Sequence, residues 1–284
     1  RRQAQTNRPQ QRFDEKLEDV PPYPPLVTSR VLRALNYMAD LDPKTTMAVM
    51  QELYSGVKIG SAKVGLITYH RTDSLNISDE AVYAMNNLLY DKYGADYALD
   101  TKRTWKNKNE NAQEAHEAIR PTNFTPDFFP KTLQRYLTPE QFVVYKFIFY
   151  RTLATQMKNA IYDRTKITVN IGGNKFQATS NHRVFDGWEI LLDLQTKSAE
   201  NNDNEMPEII LPKGLFAGNV LSPLTVNVKD KTEKTPPRIG VGRFITILES
   251  ANIGRPSTIA DITGNLVSRK YVDIKNNILV PTEF

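Results

Sequence analysis

The chain has 284 residues, 40% hydrophobic and 24% charged, which describes a globular protein long enough for two or more domains. It contains no cysteine, which excludes disulfides, thiolate zinc sites and cysteine nucleophiles and fits a cytoplasmic protein; its formal net charge of +5 and pI near 9.1 allow a polyanionic partner without demanding one. No apolar run approaches the roughly 18 residues of a membrane span and no N-terminal apolar region resembles a signal peptide, so neither is expected.

Residues 1–26 are polar and Gln/Arg-rich, then proline-rich (Pro21, Pro22, Pro24, Pro25), the composition of a linker or trailing end. A first helix is predicted from about Ser29, with Val31, Leu32, Leu35 and Met38 on one face. A second opens with Asp42 as N-cap and Pro43 at its first position, carrying Met47, Met50, Leu53 and Tyr54. The alternation of Val64, Leu66 (or Ile67) and Tyr69 then predicts a short extended piece. Two short helices followed by a strand read as a helix-turn-helix with a wing, Tyr69 lying on the wing.

In an extended backbone, side chains two apart share a face, so Tyr69 and Arg71 project together with Asp73 behind them. A phenol beside a fixed guanidinium suits nucleophilic attack on a phosphate, because the cation stabilises charge as it develops. The same residues equally describe a half-buried Tyr with a snorkelling Arg in an ordinary strand.

Further on, Ser78 caps a third helix with Asp79 and Glu80 in its first turn and Gly94 at its end. Residues 101–111 read as a polar loop. Thr138, Pro139 and Gln141 form a capping-box start for a helix whose stripe of Phe142, Tyr145, Ile148, Phe149, Leu153 and Met157 predicts core. The period then becomes two: Thr165, Ile167, Val169 and Ile171 alternate, Gly172-Gly173-Asn174 turns, and Phe176 and Ala178 continue the pairing. Further strand-like runs occupy 184–192, 208–211 and 224–228, around an acidic, Asn-rich loop at 197–206. After Pro236-Pro237 a helix carries Phe244, Ile245, Ile247 and Leu248 and ends at Gly254. Pro256 starts the next, with the backbone N–H groups of Ser257 and Thr258 at its N-terminus, a ready anion site or a plain Pro-capped turn.

Three blocks carry a family resemblance. Gly65-Leu66-Ile67-Thr68-Tyr69-His70-Arg71-Thr72-Asp73-Ser74 resembles the active-site motif of type IA DNA topoisomerases at every fixed place. Gln113-Glu114-Ala115-His116-Glu117-Ala118-Ile119-Arg120-Pro121-Thr122 is similar to the family's Ala-His-Glu-Ala-Ile-Arg-Pro box, and Ile253-Gly254-Arg255-Pro256-Ser257-Thr258 to its Gly-Arg-Pro-Ser-Thr turn. The blocks stand in the family's order at about its spacing, and the resemblance covers roughly residues 25–284.

The resemblance implies an α+β multidomain fold forming part of a toroid: a linker or trailing end at 1–26, a helical, winged-helix-like tyrosine domain at 27–163, a β arch segment at 164–237, and the start of a helical DNA-binding base domain at 238–284. It implies an ATP-independent isomerase that cuts and reseals one DNA strand through a 5′-phosphotyrosine intermediate, relaxing negative supercoils when intact. Tyr69 would be the nucleophile, Arg71 and His116 catalytic partners, Asp73 and Glu117 supporting residues, and Arg120, Arg255, Ser257, Thr258 and Arg269 contacts to DNA. A lone His is more often structural, so the role of His116 rests on the resemblance. His116-Glu117 lacks the second His of a zinc protease. The partner would be DNA, especially single-stranded, with no membrane, and the protein a cytoplasmic, nucleoid-associated monomer.

The family's acidic metal-binding domain has no counterpart before Pro25, so the chain is expected to be a fragment, inactive by itself, whose intact enzyme uses Mg²⁺ bound elsewhere; no metal is expected here. Gly240-Val241-Gly242-Arg243-Phe244 also departs from the Ser/Thr-Glu-Ala-Ser/Thr-Leu stretch of many members, which puts in doubt a DNA contact from that stretch. Two alternatives are a reverse gyrase half, which His70 suits and the asparagine content, including the cluster Asn201 to Asn204, opposes, and a catalytically silent single-strand-binding module.

Overall fold

A computed structural model describes residues 11–106, 116–171, 173–191, 217–218, 230 and 235–283, with the backbone alone for residues 11–15. The expected strands at 208–211 and 224–228, the loop at 197–206 and residues 113–115 lie outside the described residues. In chain order the regular elements are β1 (Gln11–Val20), α1 (Thr28–Ala39), α2 (Pro43–Ser55), β2 (Val57–Ile59), β3 (Ala62–Val64), α3 (Asp79–Tyr93), α4 (Pro130–Leu133), α5 (Pro139–Thr155), β4 (Ala160–Ile171), β5 (Asn174–Phe185), α6 (Val241–Ser250), α7 (Ile259–Ser268), β6 (Val272–Lys275) and β7 (Ile278–Pro281). The fold is α+β. Among the described residues no helix is long and apolar enough to cross a membrane.

The chain divides into two compact units. One contains an antiparallel three-stranded sheet in the order β1-β4-β5. The β4–β5 hairpin reverses between Ile171 and Asn174, where Gly173 takes a φ of 86°, and Thr165 and Ile167 are buried within it. The third strand corrects the reading of residues 1–26 as a linker or trailing end. Residues 11–20 pair along their whole length with 160–169, from Gln11 opposite Val169 to Val20 opposite Ala160. Their charged composition conceals this, because a ladder is held by backbone N–H and C=O groups that every non-proline residue has. Arg164 adds a 2.7 Å ion pair to Glu18. The run expected as a strand at 184–192 is divided: β5 ends at Phe185, and a 3₁₀ turn takes Gly187–Leu191.

The second unit, Pro22–Lys158, Trp188–Asp203 and Pro237–Phe284, carries all the α-helices of the described residues. The cap signals act as read. Asp42 accepts from the N–H groups of Lys44 and Thr45, Ser78 from that of Ala81, and Thr138 with Gln141 closes a capping box; each cap stabilises its helix by about 1 kcal/mol. α5 is the central core element, burying Val144, Phe147, Ile148, Phe149 and Leu153, each worth roughly 1.5–3 kcal/mol. Phe142, expected in that stripe, is only half-buried. Also buried in this unit are Leu32 and Leu35 of α1, Met50 and Leu53 of α2, and Met85 and Leu89 of α3.

The proline-rich stretch is also part of this core. Leu26 is buried and bridges to Ile119, and the Tyr23 ring lies between the Arg151 guanidinium at 3.7 Å and the edge of Trp188 at 5.1 Å. α1 meets α6 along a polar seam: Ser29 Oγ donates to Glu249 Oε1 at 3.0 Å and the Arg33 guanidinium to Thr246 Oγ1 at 3.2 Å. Asn36 Nδ2 donates to Asn277 Oδ1 at 2.8 Å, and Asn277 Nδ2 returns a bond to the Asn36 carbonyl. This seam fixes the 238–283 segment against the bundle that carries Tyr69.

Two local expectations change. The strands that follow α2 form the β2–β3 hairpin, which ends at Val64, so Tyr69 is not on a sheet strand. Only Ile67 of its neighbours makes a bridge, to Pro121. The regular part of α7 starts at Ile259 rather than Pro256; Pro256–Thr258 form a lead-in turn in which the Thr258 N–H bonds the Arg255 carbonyl.

Candidate active site

Off the sheet, residues 69–74 still alternate. His70, Thr72 and Ser74 are buried at 0%, 2% and 0% exposure. Tyr69, Arg71 and Asp73 face the other way, and all three line one open cavity of about 450 Å³. The inward side chains explain how the stretch holds its shape without a sheet. The Thr28 N–H donates to the Thr72 carbonyl at 3.0 Å, and the Thr28 hydroxyl donates to the His70 carbonyl at 2.7 Å and receives the Thr72 N–H at 3.0 Å. The Thr72 hydroxyl then accepts from the Ser74 N–H, and the Ser74 hydroxyl from the Asn76 N–H. Thr28 was not legible as a site residue, because a threonine at a helix start ordinarily reads as a cap.

The second sequence block lies beside the first. Thr68 N–H donates to the Arg120 carbonyl, Thr122 N–H to the Leu66 carbonyl, Ala118 N–H to the Asn76 carbonyl and Ile119 N–H to the Leu26 carbonyl. The Thr68 hydroxyl donates to the Ala118 carbonyl at 2.8 Å and receives the Arg120 N–H at 3.0 Å. This backbone stitching brings His116 into the Tyr69 cavity, its ring 5.2 Å from the Tyr69 ring.

The third block closes the cavity. Arg255, Pro256 and Ser257 line it together with Tyr69, Arg71, Asp73 and His116. The Arg255 N–H is taken by the Thr258 hydroxyl at 2.9 Å. Thr258 therefore acts on the turn, and its N–H, already bonded to the Arg255 carbonyl, is not the open anion donor expected from sequence. A neighbouring cavity of about 560 Å³ shares Asp73, Arg255 and Pro256 with the first.

Other expected residues sit elsewhere. Arg120, expected to contact DNA, is turned inward: its guanidinium holds Glu117 at 2.6 Å, the Pro121 carbonyl at 2.9 Å and the Ser78 hydroxyl at 3.3 Å. Glu117 and Arg120 thus fix the loop beyond His116. Arg269 is exposed at the C-terminal end of α7 and lines neither cavity.

His70 is fully buried, and neither ring nitrogen has a hydrogen-bond partner among the described residues. Burial first, and the Arg71 charge second, lower its pKa from 6.5 to about 4, so it is neutral at pH 7. Among the described residues no three His, Cys, Asp or Glu side chains group to hold a metal. Among the described residues lining the Tyr69 cavity the one carboxylate is Asp73, with Arg71 and Arg255 beside it. That is a site for anionic oxygens, and it does not fit Mg²⁺, which is bound through carboxylates, phosphates and waters.

A family model described as DNA topoisomerase matches residues 8–284. The chain belongs to the DNA topoisomerase family. Similar members include DNA topoisomerase 1 of Rickettsia prowazekii, 34% identical over 275 residues, and DNA topoisomerase 1 of Helicobacter pylori, 35% identical over 262 residues. These alignments cover 96% and 92% of this chain and 34% of each relative, so the chain spans about one third of the length of the topoisomerases it matches. Full-length topoisomerase I from Thermotoga maritima superimposes with a TM-score of 0.81 at 28% identity, over 98% of this chain and 44% of that one.

Proposed function

We propose that this chain is the tyrosine-bearing part of a type IA DNA topoisomerase. The observation that carries this reading is the convergence of Tyr69, Arg71, His116 and Arg255, from three separate sequence blocks, on one cavity. The Tyr69 phenol oxygen attacks a DNA phosphorus, forming the Tyr–O–P bond as the bond to the 3′-oxygen breaks. The phenolic proton leaves and the departing 3′-oxygen takes one up. Negative charge builds on the phosphoryl oxygens as the phenol oxygen attacks. Arg71 and Arg255 therefore act chiefly on the phosphoryl group, stabilising charge on its non-bridging oxygens. His116 donates a hydrogen bond to the same group, and Asp73 borders the cavity beside Arg71. Strand resealing is the reverse attack by the 3′-hydroxyl, with no ATP, because the phosphotyrosine keeps the bond energy.

The substrate in this reading is DNA, single-stranded at the break, with a backbone phosphate in the cavity lined by Tyr69, Arg71, His116 and Arg255. Relaxation of negative supercoils, the Mg²⁺ requirement, the monomeric state and a cytoplasmic, nucleoid-associated location belong to the same proposal for the intact enzyme. So do the toroid roles of the segments 27–163, 164–237 and 238–284.

The test is Tyr69→Phe in the full-length enzyme. The variant should fold and bind oligonucleotide but form no covalent adduct with a DNA 5′ end in denatured reactions. An adduct in the variant would assign the nucleophile elsewhere; no adduct from the wild-type protein would leave a single-strand-binding module.

A further inference from the structure

We infer that Tyr54 is a positioning residue for the nucleophile; this rests on the reading of Tyr69 above. Tyr54 lies in the last turn of α2, and its ring meets the Tyr69 ring edge-on, with centroids 5.5 Å apart and planes at 66°. It also lies 6.2 Å from the His70 ring, which is itself 5.7 Å from Tyr69. Tyr54, His70 and Tyr69 thus close a triangle of rings, and His116 packs on Tyr69 at 5.2 Å.

These four rings have different surroundings. His70 is wholly buried and forms the floor. His116 lines the cavity and so faces the phosphate. Tyr54 is 42% exposed and lines neither cavity, so it contacts Tyr69 without facing the substrate. A ring with that much exposure contributes little to core burial. The residue that anchors this turn of α2 is Leu53 next to it, with no exposure at all.

The backbone is arranged to make the ring contact. The Leu66 N–H donates to the Leu53 carbonyl at 2.8 Å, which ties the returning chain to the end of α2. Gly65 passes so close that a Cβ there would stand 2.9 Å from the Tyr54 carbonyl oxygen. The chain therefore leaves α2, turns through the β2–β3 hairpin, and comes back onto the residue it left, four positions before the nucleophile.

A partly exposed tyrosine with no wall on that side samples other rotamers, and each removes the phenol oxygen from the line of attack. Tyr54 supplies the wall. Removing an edge-to-face partner should lower the fraction of aligned Tyr69, and with it the cleavage rate, by about 2- to 10-fold.

The experiment compares Tyr54→Ala, Tyr54→Leu and Tyr54→Phe in the full-length enzyme by single-turnover cleavage of an end-labelled single-stranded oligonucleotide. Affinity for the oligonucleotide and the unfolding midpoint are measured alongside. Tyr54→Ala and Tyr54→Leu should cleave about 2- to 10-fold more slowly at unchanged affinity, and Tyr54→Phe, which keeps the ring, should cleave at close to the wild-type rate. Wild-type cleavage by the Ala and Leu variants overturns the inference. So does a slow Phe variant, which would assign the effect to the hydroxyl, and so does a rate loss that tracks a loss of affinity or stability. Tyr69→Phe is run in parallel: an adduct there sinks the nucleophile assignment itself, whereas a null result at Tyr54 leaves it standing.

Discussion

The hydroxyl of Thr28, the first residue of α1, donates a 2.7 Å hydrogen bond to the carbonyl of His70, the residue next to Tyr69. The same oxygen receives the Thr72 N–H at 3.0 Å, so one side chain holds the backbone on both sides of Arg71. Thr28→Val keeps the shape and leaves a buried carbonyl and a buried N–H each short of a partner. Stability should fall by about 2–3 kcal/mol, measurable by denaturant unfolding, and oligonucleotide cleavage should slow. Wild-type stability in Thr28→Val would show that the stretch keeps its shape without this anchor.

His70 makes stability depend on pH. Its folded pKa, about 4, lies below its ordinary value of 6.5. Between these values the unfolded chain binds a proton that the folded protein refuses, so the contribution is complete above pH 6.5 and is lost as pH falls toward 4. The loss should be of the order of 1–3 kcal/mol. His70→Phe has no proton to take up, and its unfolding midpoint should fall less between pH 7.5 and 5 than that of the wild type. Parallel pH profiles would place the acid sensitivity in other groups.

Gly65→Ala puts a methyl group 2.9 Å from the Tyr54 carbonyl oxygen, a backbone atom that cannot rotate away. The bond from Leu66 to Leu53 must lengthen or the end of α2 must move. A loss of about 1–3 kcal/mol follows, together with slower strand cleavage. An alanine variant with unchanged midpoint and rate would show that the approach relaxes freely.

Arg255 is exposed, lines the Tyr69 cavity, and uses its backbone in the turn, which leaves the side chain to act on phosphate. Arg255→Ala should weaken single-stranded DNA binding and flatten the log–log salt dependence by about 0.7, the slope for one phosphate contact. Base preference should stay the same, since phosphates carry no sequence information. Fluorescence anisotropy across a salt series measures the slope, and an unchanged slope would confine Arg255 to its turn.

The parts of this fold legible from sequence were those fixed by near neighbours. Asp42 with Pro43, Ser78 with Gly94, and Thr138 with Gln141 announce helix ends through bonds spanning two to four residues. The β4–β5 hairpin announces itself through alternation and adjacent glycines. The convergence of Tyr69, His116 and Arg255 was reached only through the family resemblance, since nothing local relates positions so far apart. What escaped depends on distant partners. β1 is a strand because β4 offers it a backbone edge about 150 residues later in the chain, and no property of its charged residues reports that. Arg120 looks like a free cation until Glu117, Pro121 and Ser78 surround it. Thr28 and Tyr54 matter through contacts 42 and 15 positions away.

The alternation of residues 69–74 separates two kinds of selection within six consecutive codons. Positions 69, 71 and 73 line the cavity, and changes there should alter reaction rate while sparing the folded state. His70, Thr72 and Ser74 are buried, and changes there should act first on the folded state, although Thr72 also borders the neighbouring cavity. A saturation library across this hexapeptide, sorted once for abundance and once for DNA cleavage, should therefore sort odd and even positions into different bins.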